Sequence, residues 1–118
     1  MKTRLTIILA AAGALALPTT LLAADAAAGQ AGWTKEYPQA DGSEARSCVT
    51  CHGQDLTQPG RQANTGKTIE PLAPSVNPKR LTDQAKIEKW LLRNCKWTLG
   101  RECTATEKAD FVAYIKTQ

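Results

Sequence analysis

The sequence predicts an all-α domain, and three observations support this fold class. Two segments near the C-terminus, LTDQAKIEKWLLRNC and TATEKADFVAYIK, repeat apolar residues with the period of a helix. An alanine-rich segment, DAAAGQAGWTKEY, favours a further helix. No stretch alternates apolar and polar residues as a half-buried strand would, and the chain has no internal repeat.

The N-terminal segment, residues 1–24, is predicted to be a secretory signal peptide that is removed. Lys2 and Arg4 give it a basic start, residues 5–17 form an apolar run, and small residues suitable for signal-peptidase cleavage follow. The run is shorter than the roughly 18 apolar residues expected of a membrane-spanning helix. Residues 25–118 then form one mature domain, which we expect in the periplasm. The cleavage positions considered are Ala23 and Ala24, with Ala26 as an alternative.

Charge and composition limit the classes of function. Loss of Lys2 and Arg4 changes the formal charge from 15 − 11 = +4 to 13 − 11 = +2. So small an excess argues against nucleic-acid binding and against electrostatic attachment to a membrane. One Phe, two Tyr and three Trp provide only a modest core. A bulky apolar cofactor or a disulfide is therefore expected to supply much of the stability.

The N-terminal half is predicted to hold two helices and a long loop. The first helix runs from Asp25 to about Tyr37 and places Gly29 and Trp33 on one face. A short helix is predicted over residues 44–52. Residues 53–80 contain four prolines and three glycines and show no period. A loop of this length is uncommon in a compact domain and is typical of a binding loop, here one wrapped around a cofactor.

Two helices are predicted in the C-terminal half. The first has Thr82 or Asp83 as its N-cap and runs to about Cys95. The second starts at a capping box formed by Thr104 and Glu107. The apolar stripe of the first helix follows the i, i+3, i+4, i+7 spacing and consists of Ile87, Trp90, Leu91 and Asn94.

The segment CVTCH predicts covalent haem attachment. Cys48, Cys51 and His52 follow the C-x-x-C-H pattern of c-type haem sites, and on a helical turn they share one face. Both thiols can then reach the vinyl groups of one porphyrin while the imidazole binds its iron. Zinc is a weaker alternative, because Cys95 and Cys103 have seven residues between them and make a poor second ligand pair. A thioredoxin-like dithiol lacks its βαβ context.

The other two cysteines, Cys95 and Cys103, are expected to pair with each other in an exported protein. The segment between them contains Gly100, which permits a tight turn. Closing so short a loop stabilises a fold by about 2–3 kcal/mol on the chain-entropy account.

The second axial ligand of the iron is unlike that of most small cytochromes c. His52 is the only histidine, and Met1, the only methionine, is lost with the signal peptide, so His/Met and bis-His ligation are both excluded in the mature chain. Asn94 is favoured, because an unpaired amide on an apolar helix face is costly to bury. A Lys, a Tyr, an α-amino group and an open coordination site stay possible. Asn94 could instead cap its own helix, and Asn77 is a weaker candidate ligand, because Pro78 favours a turn there. Solvent-facing positions are predicted for Lys67, Lys79 and Tyr37.

The runs CHGQDL, GKTIEPLAPSVNPKRLTD, KIEKWLLRNC and GREC with EKAD resemble the monohaem cytochromes c called sphaeroides haem proteins. The resemblance covers residues 25–118 and implies a class I cytochrome c fold, with helices packed around one covalently bound haem c. It implies His52 and Asn94 as the axial ligands and a Cys95–Cys103 disulfide beside Asn94. In a class I cytochrome c fold the terminal helices cross. This crossing would bring Gly29 and Trp33 to Phe111 or Tyr114. Candidates to pair with the haem propionates are Arg61, Lys67 and Arg80.

The same resemblance implies a function. In that family the bond from asparagine to iron is lost on reduction, and the ferrous haem then binds oxygen or nitric oxide. The electron donors are a dihaem cytochrome c and a membrane cytochrome b. We therefore expect a periplasmic protein that accepts electrons and binds diatomic gases. The alternatives are a plain electron carrier and an enzyme that converts oxygen, nitric oxide or peroxide, for which the sequence offers no distal acid–base group.

Overall fold

Four helices form most of the fold in the computed structural model, which describes residues 22–118. The predicted signal peptide therefore lies almost wholly outside the described residues. Within residues 22–118, no helix has the length and apolar character needed to cross a bilayer. The helices are α1 (Ala26–Thr34), α2 (Val49–His52), α3 (Gln84–Leu99) and α4 (Ala105–Lys116), and a small antiparallel hairpin of β1 (Gly60–Arg61) and β2 (Thr68–Ile69) lies between α2 and α3.

Helices α1 and α4 cross at close range, and this crossing forms the main part of the core. A Cβ atom added to Gly29 would overlap the backbone carbonyl of Asp110 and lie 2.9 Å from Cβ of Tyr114, so glycine is what lets the two backbones approach. The ring of Trp33 packs 6.2 Å from that of Phe111 and 6.0 Å from that of Tyr114. The predicted contact between the terminal helices is thus present.

Helix α1 is shorter than predicted. Its N-cap is Asp25, whose carboxylate accepts hydrogen bonds from two N–H groups of the first turn at 2.8 and 3.1 Å. The helix ends at Thr34 instead of about Tyr37. The reason is that Tyr37 forms an isolated antiparallel bridge with Arg46, with N–O distances of 2.7 and 3.0 Å.

The helix predicted over residues 44–52 is wrong for its first half. Only Val49–His52 are helical, because the bridge from Arg46 to Tyr37 holds the preceding residues in an extended conformation. Ser47 is buried next to this bridge, and its backbone N–H donates to the hydroxyl of Thr50 at 3.0 Å. That contact brings the chain into the single turn of α2.

The proline-rich loop, residues 53–80, is held by contacts within the loop as well as by the hairpin. Leu56 and Ala73 are both fully buried, and the backbone N–H of Ala73 donates to the carbonyl of Leu56 at 2.9 Å. The carbonyl of Pro71 accepts from the amide of Asn77 at 3.1 Å and from the guanidinium of Arg80 at 3.0 Å. The two-residue strands were not predicted, since a period cannot be recognised over so short a length.

Helix α3 begins where predicted and ends later. The carboxylate of Asp83 accepts from the backbone N–H of Lys86 at 3.1 Å, which makes Asp83 the N-cap. The helix continues past Cys95 to Leu99 and stops at Gly100, whose φ of 73° lies in the left-handed region.

Side chains from the segment between α1 and α2 hold the C-terminal end of α3. The guanidinium of Arg46 donates to the carbonyl of Trp97 at 2.9 Å and stacks on its indole ring at 4.3 Å. The amide of Gln39 donates to the carbonyl of Thr98 at 3.0 Å. These donors satisfy carbonyl groups that a helix end otherwise leaves without partners, so the last turn is stable.

The predicted capping box of α4 is present. Thr104 and Glu107 each accept a hydrogen bond from the backbone N–H of the other, at 3.1 and 2.8 Å. The same carboxylate receives two hydrogen bonds from Arg101, at 2.8 and 2.9 Å. The turn before α4 is therefore fixed by side chains on both sides.

Candidate haem site

The CVTCH segment forms the single turn of α2 and lines a large cavity. The backbone N–H of His52 donates to the carbonyl of Cys48 at 3.1 Å. This turn brings Cys48, Cys51 and His52 to the wall of one cavity of about 860 Å³. Small-molecule and cofactor sites have volumes of roughly 300–1,000 Å³, so the cavity is suited to a bulky group.

Strand β1 lies directly against this turn. A Cβ atom on Gly60 would overlap the carbonyl of Cys51 and lie 3.0 Å from Cα of His52. Only glycine fits at that distance, which makes Gly60 part of the support of the site. This role of Gly60 was not predicted, although the pair Pro59 and Gly60 marks a turn in the sequence.

Burial sets the protonation states of the attachment residues. It lowers the pKa of His52 to about 4, and the positive charge of Arg80 contributes in the same direction. The imidazole is therefore neutral at neutral pH, which is the form that binds a metal. Burial also raises the pKa of the Cys48 thiol to about 12, with a further contribution from Cys51.

Trp33 connects the site with the main core. Its ring centroid is 5.4 Å from that of the His52 imidazole, while its other neighbours are Phe111 and Tyr114. Trp33 is itself only 5% exposed. The orientation of the imidazole is thus coupled to the packed crossing of α1 and α4.

Helix α3 supplies another part of the cavity wall. The predicted stripe of Ile87, Trp90, Leu91 and Asn94 lines the same cavity as His52. The structure therefore brings Asn94 and His52 to one cavity from two different helices, as the assignment of both as axial ligands requires.

The other candidate ligands divide into two groups. Asn77 does not line the cavity and donates its amide to Pro71, while the hydroxyl of Tyr37 donates to Gly32 at 3.0 Å. Lys67 and Lys79 are exposed, as predicted, and also lie on the cavity wall. Two further amides on that wall, Gln62 and Asn64, were missed, because nothing in their short polar segment marks them as facing a site.

Cys95 and Cys103 are paired with each other and kept apart from the attachment cysteines. Their sulfur atoms are in direct contact and their Cα atoms are 5.6 Å apart, which suits a disulfide. Cys95 also lines the cavity immediately after Asn94. Among residues 22–118, no three His, Cys, Asp or Glu side chains gather into a group able to hold a metal ion.

Basic side chains lie along the cavity edge. Lys67 and Arg80, two of the three candidates for pairing with haem propionates, are part of the wall. The third, Arg61, is not, and its guanidinium donates to the carbonyl of Gly66 at 2.9 Å. Arg80 also holds the loop through the carbonyl of Glu70 at 2.8 Å.

Comparisons with known proteins identify the family. A family described as a domain of unknown function, DUF1924, matches residues 19–115, and the chain is a member of it. Over 72 residues the chain is 57% identical to the cytochrome c-type protein SHP of Cereibacter sphaeroides, covering 61% of this chain and 55% of that protein. Over 86 residues it is 40% identical to cytochrome c'' of Methylophilus methylotrophus, covering 73% and 59%. The matches thus span less than two thirds of each curated relative.

The fold is also shared with solved structures. Oxidised SHP, described as an oxygen-binding cytochrome c, is 47% identical, with 80% of this chain and 83% of that chain covered and a TM-score of 0.72. The chain belongs to the SHP family of c-type cytochromes. For cytochrome c'' of Methylophilus methylotrophus, the crystal structure of the oxidised form matches at 35% identity, 81% and 77% coverage and a TM-score of 0.72. Its solution structure matches at 35% identity, 80% and 75% coverage and a TM-score of 0.68.

Two predictions are confirmed by this membership. The first is the all-α cytochrome c fold, with its helices and long proline-rich loop. The second is the cofactor, because c-type cytochromes carry covalently bound haem c. The cavity fits that cofactor, since it combines two thiols and a neutral imidazole with an apolar wall from α3.

Proposed function

We propose that this protein is a periplasmic monohaem cytochrome c that accepts electrons from another cytochrome and binds diatomic gases such as oxygen and nitric oxide. Cys48 and Cys51 hold the haem covalently, and His52 and Asn94 are its axial ligands in the oxidised state. Reduction of the bound haem would release Asn94 and leave that coordination position to a gas molecule. The description of oxidised SHP as an oxygen-binding cytochrome c supports the gas-binding part of this proposal.

One observation carries the proposal: the only histidine of the sequence and Asn94 line the same cavity from α2 and α3. The rival amide, Asn77, lies elsewhere and is used by the loop. Met1 is the only methionine and is distant in sequence from the site. The chain therefore offers an amide where most small cytochromes c offer a thioether.

Different residues of the site bind the cofactor and line the space beside it. When bound, the haem supplies one-electron redox chemistry and a coordination position for a gas molecule. His52 is neutral at physiological pH and is held by Trp33 on one side and by the backbone contact at Gly60 on the other. Ile87 and Leu91 of α3 place apolar side chains on the cavity wall beside Asn94.

Asn94 acts as a redox-dependent ligand. A carboxamide oxygen is a hard donor, which favours the ferric over the ferrous state. Asn94 therefore stays in place in the oxidised protein and leaves after reduction. The pairing of Cys95 with Cys103, which we assign as a disulfide, fixes the backbone immediately after Asn94. Solution work on cytochrome c'' concerns haem-ligand detachment in that relative, and this supports a releasable ligand here.

The electron donors we propose are a dihaem cytochrome c and a membrane cytochrome b. The signal peptide proposed for residues 1–24 takes the chain to the periplasm, where such donors can meet it. Enzymatic conversion of the bound gas is not part of the proposal, because no acid–base side chain accompanies Asn94 on the α3 stripe.

The test is a set of optical spectra of the oxidised and reduced protein, with and without carbon monoxide. We expect the oxidised wild type to be low-spin and the reduced wild type to be high-spin and to bind carbon monoxide. Asn94→Ala should be high-spin in both oxidation states, because its ligand is lost without loss of the attachment residues.

Asn64→Ala is the matched control, since it removes an amide from the same cavity wall. It should keep the low-spin oxidised spectrum of the wild type. A low-spin oxidised spectrum of Asn94→Ala would contradict the assignment of Asn94, and a reduced protein unaffected by carbon monoxide would contradict gas binding.

A further inference from the structure

The start of helix α1 is joined to helix α4 by a hydrogen bond from the main chain. The backbone N–H of Asp25 donates to the carboxylate of Asp110 at 2.7 Å, across a sequence separation of 85 residues. The closest backbone approach of the same two helices is also at Asp110, whose carbonyl faces Gly29. The nitrogen of Asp25 therefore belongs to the contact that holds the two helices together.

The carboxylate of Asp110 has no cation as its partner among residues 22–118. The ion pairs in this part of the chain are Lys96–Glu102, Arg101–Glu107 and Lys108–Glu88. The side chain of Asp110 is half-buried, and within the same residues it accepts its hydrogen bond from Asp25. A positive charge on the nitrogen of Asp25 would give this carboxylate the ionic partner that no side chain supplies.

The residues before Asp25 make no polar contact with the fold. Residues 22–24 are all exposed, Leu22 at 86%, and none of them forms a hydrogen bond with the rest of the described chain. Asp25 is the first residue with a hydrogen-bonded role, since its carboxylate caps α1 through the N–H groups of Ala27 and Ala28. The ordered fold thus begins at Asp25.

The cleavage positions considered for the signal peptide differ in what they do to this contact. Cleavage after Ala23 puts the new α-ammonium on Ala24, one residue before the nitrogen that faces Asp110. Cleavage after Ala26 removes the N-cap Asp25 and leaves a positive charge in the first turn of α1, where the helix dipole disfavours it. Cleavage after Ala24 puts the charge on the nitrogen that lies 2.7 Å from the carboxylate of Asp110.

We propose that signal peptidase hydrolyses the bond between Ala24 and Asp25 and that the resulting α-ammonium forms an ion pair with Asp110. Water is the co-reactant. Its oxygen joins the carbonyl carbon of Ala24, the C–N bond breaks, and both protons of the water pass to the nitrogen of Asp25, which leaves a carboxylate and an ammonium. The inference rests on the signal peptide of the proposed function and not on its axial ligands.

Processing at this bond strengthens the contact between α1 and α4. A hydrogen bond between two charged groups is roughly twice as strong as one between neutral groups. The carboxylates of Asp25 and Asp110 also offset the positive end of the helix dipole, which would otherwise disfavour an ammonium at this position. Removal of the signal peptide is then a step that stabilises the helix crossing as well as a step that releases the protein.

The first test identifies the N-terminus of the exported protein. The haem-loaded protein is produced in a bacterial periplasm with its own residues 1–24, and its intact mass and N-terminal peptide sequence are determined. We expect Asp25 as the first residue. A chain that begins at Ala24, at Ala27 or at Met1 would overturn the proposal.

The second test measures the charge on the α-amino group. Acetic anhydride reacts with the unprotonated amine, and an unpaired α-amino group has a pKa of about 7.7–8.0. The haem-loaded protein is acetylated briefly at about pH 7, and the acetylated N-terminal peptide is quantified by mass spectrometry. Asp110→Asn keeps an oxygen acceptor and loses the charge that favours the ammonium, so its N-terminus should be acetylated about threefold faster or more.

Glu36→Gln is the matched control, because it removes the same charge from an exposed residue beyond the other end of α1. Its N-terminus should be acetylated at the rate of the wild type. Equal rates in the wild type and Asp110→Asn, or equal acceleration in the two variants, would overturn the ion pair.

Melting temperatures separate an ion pair from an ordinary hydrogen bond. If Asp110 served only as an acceptor, Asp110→Asn would melt with the wild type and only Asp110→Ala would be less stable. The ion pair instead predicts that Asp110→Asn melts about 4 °C below the wild type at low salt, with a smaller difference at about 0.5 M salt. Equal melting temperatures of the wild type and Asp110→Asn at low salt would contradict the ion pair.

Failure of the proposed function is recognised independently. Neither Asp25 nor Asp110 lines the haem cavity, so Asp110→Asn should keep the wild-type spectra with and without carbon monoxide. An altered axial ligand in a chain that begins at Asp25 would revise the proposed function alone. Unchanged spectra in an exported chain that begins at another residue would revise the cleavage site and its ion pair alone.

Discussion

The crossing of α1 with α4 differs from the cavity lined by α2 and α3 in what fills the space between the helices. At the crossing, Gly29 allows backbone contact, and Trp33, Phe111 and Tyr114 are each 4–6% exposed. Along the cavity, α3 is buried at Cys95 and Thr98, whereas its apolar stripe is half-buried or exposed, including Trp90 at 49%. One region is complete by packing of the chain against itself, and the other is completed by its cofactor.

This difference indicates that the crossing stabilises the fold and that the cavity serves the cofactor. The crossing buries apolar surface and gains from it directly, at roughly 25 cal/mol per Å². The cavity leaves apolar and polar groups facing a volume of about 860 Å³, which only a bound group of similar size can fill. Substitutions at the crossing should therefore act on folding, and those at the cavity on haem retention and ligation.

Loss of the attachment cysteines should give the largest effect. In Cys48→Ala with Cys51→Ala, the covalent haem is lost and the cavity has no filling, while natural domains are stable by only about 5–15 kcal/mol. We expect the variant to lose its cooperative thermal transition in far-ultraviolet circular dichroism. The control, Cys95→Ala with Cys103→Ala, should keep its haem and lose about 2–3 kcal/mol of unfolding free energy. A fully cooperative transition in the haem-free variant would contradict this prediction, because it would show that the cavity region folds without its cofactor.

Disturbance of the crossing should give the next largest effect. Gly29→Ala places a Cβ atom against the carbonyl of Asp110, and overpacking of this kind costs about 3 kcal/mol. The melting temperature should fall by roughly 10–20 °C, while the haem spectrum of the folded protein stays that of the wild type. Gln30→Ala, at the exposed neighbouring position, is the control and should change little. A melting temperature equal to that of the wild type would mean that the two helices do not need glycine to pack.

Disruption of the capping box of α4 should give the smallest effect, and one that depends on pH. The hydrogen bonds from Arg101 chiefly, and from Thr104, lower the pKa of Glu107 to about 2. The unfolded value is about 4.3, so this stabilisation is present above about pH 4.3 and is lost as the pH falls towards 2. Glu107→Gln should cost about 1 kcal/mol at neutral pH and almost nothing near pH 2.

Melting temperatures of the wild type and Glu107→Gln between pH 7 and pH 2 check this prediction, because titrations elsewhere cancel in the difference. Glu102→Gln is the control, since that carboxylate is 64% exposed and pairs with Lys96 at 3.4 Å. An offset between wild type and Glu107→Gln that stays constant over the whole range would contradict the assigned role of the carboxylate.

The elements that sequence analysis predicted correctly depend on local signals. The capping box needs only Thr104 and Glu107, three residues apart, and the stripe of α3 needs only its own spacing. The placement of Cys48, Cys51, His52 and Asn94 around one cavity follows from two such local patterns once the family fold connects them.

The elements that were missed depend on distant partners. Helix α3 extends beyond Cys95 because its last carbonyls accept from Arg46 and Gln39, which are 51 and 59 residues from Trp97 and Thr98. The helix predicted from residue 44 lacks its first half, because Arg46 forms a bridge with Tyr37 outside the predicted segment. Gly60 supports the haem-attachment turn through a backbone approach that no side-chain pattern reveals.

The anchoring of α3 at both ends bears on how quickly a bound amide can release the metal. Asp83 fixes the first turn, and Arg46 fixes the last turn at Trp97, three positions after Asn94. Translation of the whole helix is thus opposed, and the amide moves by rotation about its own χ1 and χ2 bonds. Rotamer exchange takes picoseconds to nanoseconds, whereas sliding of a helix takes microseconds or longer. On the ligation proposed for Asn94, opening of that coordination position would need rotation of one side chain and no rearrangement of the polypeptide.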